Sequence, residues 1–281
     1  MRDRIDRAIA EGKHESIGRL LAGAHTPEHR YAARRIAEAG ASLEAALAVA
    51  ESLAGQKESA ARQVACQLVP EVYSSSPDRA ASLLRTLADD GEWTVRDAAG
   101  EVCGRLLRDD FSRMLDELYE WRKDRSVNVR RAVAVAAGRA ASAEHPEWAE
   151  PLLKLIEPLL SDRDKNLRRT LAASTIGTSL LGSYPIMAFE YIIKWSTSSD
   201  PQVLWNVATA LSTPTAAGLV KKALIILRKL SLDERRYVWR AAAAAMWRLG
   251  RKRPEIVRPE LARWLEDERR IEVAREALKH I

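Results

Sequence analysis

Two residue types are scarce in this 281-residue chain, which has two phenylalanines and two cysteines. With aromatics at only 6%, Ala and Leu carry most of an apolar content of 47%. That balance favours closely packed helices over sheets. Cys66 and Cys103 do not stand at a metal-ligand spacing and can form at most one bridge, which excludes a disulfide framework. A reduced, cytoplasmic compartment is therefore the expectation. No window reaches ~18 uninterrupted apolar residues, so no transmembrane span is expected. The opening MRDRIDRAIAEGKHE also lacks the apolar stretch of a signal peptide. The thirteen glycines are scattered and form no phosphate-cradling loop. G-x-S-x-G, H-E-x-x-H and C-x-x-C are absent. The five histidines are dispersed, and His25 and His29, on either side of a Thr26-Pro27 helix start, read as surface residues. Charge is nearly balanced, with 45 basic against 39 acidic residues and a net +6, which permits a nucleic-acid partner without demanding one.

What the chain does contain is repetition. TVRDAAGEVCGRL (94–106), NVRRAVAVAAGRA (128–140), NLRRTLAASTIGT (166–178), QVLWNVATALSTP (202–214) and YVWRAAAAAMWRL (237–249) are copies of one segment. Weaker copies lie at 31–41, 60–70 and 272–281. Asp97, Arg131, Arg169, Trp205, Arg240 and Arg275 mark one equivalent position, at steps of 34, 38, 36, 35 and 35. Before each copy stands an acidic or Pro-bearing turn (DDGE, KDRS, SDRDK, SSDP, SLDE, EDER), and before each turn another apolar-periodic stretch. The unit is helix A, turn, helix B, turn, with the V-R-x-x-A opening of the HEAT pattern. One such pair cannot bury its own apolar face, so neighbours must stack. The expected fold is all-α, a right-handed α-solenoid of stacked HEAT-like helix pairs with a concave basic groove. It is read as a single repeat domain over 1–281, with residues 1–25 as N-terminal capping helices.

In this pattern Arg96, Arg130 and Arg168 read as structural, with Asp90, Asp124 and Asp162 as candidate partners. The slot after them is different, because the pattern requires no charge there, yet Arg131, Arg169, Arg240 and Arg275 occupy it. Arg34, Arg35 and Arg62 extend the row at one end, and Arg235 and Arg236 thicken it at the other. Guanidinium forks at ~10 Å intervals, the spacing of packed helices, suit a phosphate backbone. A ladder of ion pairs or a protein-binding face is the alternative reading. Trp205 sits in the same row and is a candidate for stacking. Trp121, Trp148, Trp195 and Trp264 read as core.

Asp97 interrupts the basic row, and Trp93 precedes it by four residues, which puts both on one side of the first turn of helix B. A Trp face and a carboxylate together suit a cationic aromatic ligand. The bland alternative is a packed Trp beside an Asp favoured at a helix N-terminus.

The motif W-x-x-x-D in EWTVRDAAG (92–100), followed by NVRRAVAVAAGRA, resembles the HEAT-like-repeat alkylpurine DNA glycosylases of bacteria, the AlkC/AlkD superfamily. The resemblance spans roughly residues 60–281. It implies that Trp93 contacts the damaged nucleotide, Asp97 is the catalytic carboxylate and Arg131 holds a backbone phosphate. It further implies double-stranded DNA, alkylated or distorted, as partner, and a monomer in the bacterial cytosol that associates with the nucleoid when bound. No cofactor or metal is called for. The chain departs from the pattern near Ala172–Ala173, where no second Trp occurs. Three readings stay open at this point: a glycosylase, a non-catalytic DNA-binding solenoid, and a protein-interaction scaffold.

Overall fold

Six of the turns between helix A and helix B are closed by a side chain that caps its own turn. Asp90 Oδ1 accepts the Glu92 N–H at 2.8 Å, and Asp124, Asp162, Asp233 and Asp267 do the same for the residue two further on, at 2.8–2.9 Å. Ser198 takes this part for Asp200 at 3.0 Å. Such a turn reverses the chain within a few residues and presents the next helix start. The computed structural model describes residues 1–280, which contain helices and turns and no strand.

The contacts divide the chain into two compact units, Met1–Ala136 and residues from Ala137 onward. The division falls inside a helix, where the sequence period continues unbroken. The first unit holds α1 (Arg2–Ala10), α2 (Ile17–Leu20), α3 (Thr26–Ala39), α4 (Leu43–Ala54), α5 (Ser59–Val72), α6 (Pro77–Ala88), α7 (Trp93–Asp109), α8 (Phe111–Trp121) and most of α9 (Val127–Ala140). The B helices α3, α5 and α7 pack on one another in order, and α4, α6 and α8 form the second layer. Over residues 1–25, α1 packs on α3 and α2 on α5.

The second unit follows the same plan. After α10 (Ala149–Ile156), one long B helix is assembled from α11 (Lys165–Arg169), a π-helical stretch over Thr170–Leu180 and α12 (Leu181–Ser183). Then come α13 (Pro185–Trp195), α14 (Pro201–Ala210), α15 (Val220–Leu230), α16 (Arg236–Lys252), α17 (Pro254–Leu265) and α18 (Ile271–Leu278). The π-helical stretch, α14, α16 and α18 make the B ladder.

Helical spacing sets the core. On α7, Val95, Ala99, Val102, Cys103 and Leu106 form one buried stripe. Trp121, Trp148, Trp195 and Trp264 are buried as read, and the indole N–H groups of Trp195 and Trp264 donate to Glu157 and Glu260 at 2.8 and 2.7 Å. His29 is not a surface residue. It is 2% exposed on the α3 stripe with Ala32, Ala33 and Ile36, and burial lowers its pKa. Cys66 and Cys103 are free thiols, fully buried, and burial pushes both far above the ordinary thiol range.

The structural arginines differ from the expected set in register. Arg96 Nη1 donates to the carbonyls of Asp90 and Gly91 at 2.6 and 2.8 Å, six and five residues back. Arg130 does so with Asp124 and Arg125 at 2.8 and 3.1 Å. Arg62 does the same with Gln56 and Lys57 at 2.9 and 2.7 Å. Arg62 is therefore the equivalent of Arg96, 34 residues earlier, and not a member of the outer row. Its remaining donors grip Asp90 bidentately at 2.7 and 3.0 Å, with both side chains near-buried at 14% and 11% exposure. Asp90 thus pairs with Arg62 instead of Arg96, and the Asp124 carboxylate takes Arg85. Arg168 breaks the pattern by donating to Gln202 Oε1 at 3.1 Å.

Glycine matters at two close approaches. A Cβ on Gly100 would sit 3.0 Å from Val135, so the absent side chain lets α7 and α9 meet. A Cβ on Gly177 would lie 2.5 Å from Thr213 and 2.6 Å from the Ala210 carbonyl, where the π-helical stretch touches the end of α14. Thr213 Oγ1 donates to the Gly177 carbonyl at 2.7 Å.

Two stability predictions follow from these contacts. Asp90→Ala removes a turn cap and strands a near-buried guanidinium, and should cost about 2–4 kcal/mol. Asp78→Ala, which breaks an exposed pair with Arg113, should cost less than about 1 kcal/mol. Urea unfolding of the two variants measures the contrast. Gly177→Ala must push two backbones apart and should lose about 2–3 kcal/mol by the same measurement.

Candidate nucleic-acid interface

In the first unit, the Asp90 turn leads to Glu92 as N-cap and Trp93 as the first residue of α7. Because the apolar stripe of α7 faces the core, positions 93 and 97 fall on the opposite side. Trp93 is consequently 65% exposed, and Asp97 stands one turn further on, partly exposed. The close approach at Gly100 brings α9 alongside, and Arg131 Nη2 donates to Asp97 Oδ1 at 2.9 Å. The acid and the next base of the row thus form one ion pair, with the indole one helical turn away. The rest of the row in this unit is held internally. Arg35 pairs with Asp6 at 2.9 Å and with Glu38 at 2.5 Å, Arg34 lies 3.8 Å from Glu38, and Arg62 is withdrawn as described.

The second unit brings other row members together. Arg169, Trp205 and Arg240 line one cleft of about 720 Å³, joined by Tyr237 and Arg248. Its floor is small, with Ala173 and Ser174 from the π-helical stretch and Ala241 and Ala244 from α16. Alanine and serine leave the hollow that longer side chains would fill. No carboxylate lines it, although Arg240 also donates to Glu276 at 3.1 Å. Arg275 is exposed, bonded to Glu272 at 3.2 Å, and outside this cleft. The π-helix widens the turn just where Arg169 meets the cleft. Ala172 is buried and Ala173 lies on the floor, so the aromatic wall comes from Trp205, one B helix on.

Tyr237 and Arg248 are the residues sequence reasoning missed. The signal was available, because 237, 240, 244 and 248 are three and four apart and share one helix face. Among the described residues no group of three His, Cys, Asp or Glu is placed to hold a metal ion.

A ladder of B helices joined by Asx-type turns defines a HEAT-like helical-repeat protein. Residues 6–174 match the model of a family described as DNA alkylation repair enzyme, and the chain belongs to that family. Trp93, Asp97, Arg131 and Arg169 lie within the matched span, while Trp205, Arg240 and Arg275 lie beyond it. No curated protein matches the sequence. Among solved structures, the karyopherin Kap121p bound to the extreme C-terminus of the phosphatase Cdc14p superposes with a TM-score of 0.52 at 13% identity. That match covers 95% of this chain and 33% of the karyopherin. A triple mutant of Kap121p gives 0.54 at 13%, over 94% and 33%. A structure of YibA from Escherichia coli gives 0.42 at 19%, over 95% and 91%. The chain spans about a third of the karyopherin's length, and the likeness is one of fold.

With Asp97 replaced by Asn, the acid is lost from the row and Arg131 is released. Affinity for undamaged duplex should rise about three- to tenfold at low salt, and the salt dependence should steepen by about one phosphate contact. Fluorescence anisotropy over a salt series reads both quantities.

Proposed function

We propose that the chain is a DNA glycosylase that excises cationic N3- or N7-alkylated purines from duplex DNA, acting as a monomer in the cytoplasm. The observation that carries this reading is the exposed Trp93 one turn before Asp97, on the same face of α7 and inside the family-matched span. Alkylation gives the purine a positive charge, so it leaves with the electron pair of the C1′–N bond and needs no proton from the protein. An indole face attracts such a cation, by about 0.5–2 kcal/mol. The sugar becomes oxocarbenium-like, and a carboxylate near C1′ stabilises that charge and takes the proton of the attacking water. Water supplies the new C1′–O bond. Arg131, Arg169, Arg240 and Arg275 are assigned to backbone phosphates.

The Asp97–Arg131 pair at 2.9 Å also favours a second reading, in which the carboxylate only positions Arg131 and the protein binds DNA without cutting. Base release separates the two. Incubated with methylated duplex, the protein should liberate 3-methyladenine or 7-methylguanine. Asp97→Asn should lower that rate at least about a hundredfold while binding persists. Tight binding with no base released by the unsubstituted protein would sink the catalytic reading.

A further inference from the structure

We propose that the second unit holds a pocket for one unpaired nucleotide of a DNA strand, its base stacked on Trp205. The inference goes beyond excision, needing only DNA as partner. A cleft of about 720 Å³ falls within the ~300–1,000 Å³ range of sites that enclose small molecules. A volume of that order suits a single nucleotide. Arg169, Arg240 and Arg248 stand around it with no carboxylate in the lining, which suits the phosphates on either side of an inserted base.

Trp205 is held ready for stacking. The Arg168 guanidinium lies 4.8 Å from its ring centroid and fixes the indole from one side. The same ring lines both the large cleft and a smaller one of about 290 Å³, and Arg168 lines only the smaller. Trp205, like Tyr237, thus borders both clefts, and the guanidinium over its ring lines only the smaller. Bases stack on such rings whatever their identity.

The smaller cleft supplies an independent observation. Arg168 Nε and Gln202 Nε2 are buried donors without a partner among the described residues, and both residues line it. Gln202 is 6% exposed, and its amide cannot be turned around because Oε1 already accepts from Arg168 Nη1 at 3.1 Å. Unmet buried donors call for an acceptor, and Arg163 at the same cleft makes an anionic oxygen the fitting one. Asp200 also lines this cleft, but its Oδ1 accepts the Gln202 N–H at 2.8 Å as the cap of α14. A base on one side of Trp205 and a phosphate oxygen on the other is the arrangement of a strand threaded past a single aromatic ring. Fully paired DNA keeps its bases in the stack, so the pocket selects a bulged or unpaired position.

Anisotropy with the full chain tests this, using one labelled duplex carrying a single-nucleotide bulge and the same duplex fully paired. The bulged duplex should bind about tenfold more tightly. Trp205→Ala should bring the ratio to about one, and Trp205→Phe should keep most of it. Ala244→Phe, which fills the floor and leaves Trp205 in place, should also abolish it. Placed in the bulge, 2-aminopurine should be quenched by the unsubstituted protein and not by Trp205→Ala. Equal affinity for both duplexes, or a preference that survives both Trp205→Ala and Ala244→Phe, would overturn the proposal. The ratio is read without any base release, so it stands or falls separately from excision.

Discussion

The structure depends on one local contact, a turn carboxylate or hydroxyl accepting the N–H two residues on. It closes helix A against helix B and sets the starting phase of each B helix. With phase set, residues 34–38 positions apart in the chain come into line on successive helices. An arginine one turn into the B helix braces the preceding turn by reaching the carbonyls six and five residues back, in Arg62, Arg96 and Arg130 alike. Asp97 meets Arg131, and Arg169 shares a cleft with Trp205 and Arg240, because this alignment is maintained within each unit.

These local rules are why so much of the fold was legible. Turn acids, apolar stripes and the recurring V-R opening are written within a few residues of one another, and the helix pairs follow from them. Arg62 was harder, because its copy reads A-A-R and lacks the valine that marks the register; only its carbonyl partners show where it belongs. His29 was misjudged because a Pro two residues earlier suggests a surface turn, whereas the helix phase starting there points it into the core. The π-helical stretch and the cleft beside it depend on contacts between repeats, above all the bare Gly177 against Ala210 and Thr213, and no short window of sequence encodes those. The division inside α9 is of the same kind.

The two units use their arginines differently, although the sequence pattern treats them as one row. In the first, carboxylates at positions 6, 38, 90 and 97 hold Arg35, Arg62 and Arg131 in place. In the second, Arg169 and Arg248 border a cleft with no carboxylate among its described lining residues.

The two buried thiols have a meaning of their own in a protein of this family. Agents that alkylate DNA also attack soft nucleophiles, and a cysteine thiolate is among the softest a protein offers. Here the chain has only two, on α5 and α7, both sealed in the core and both held in the unreactive protonated form by burial. An electrophile in solution thus finds neither thiol of the chain open to attack. The packing that stacks the repeats is thereby also what shields both sulfur atoms.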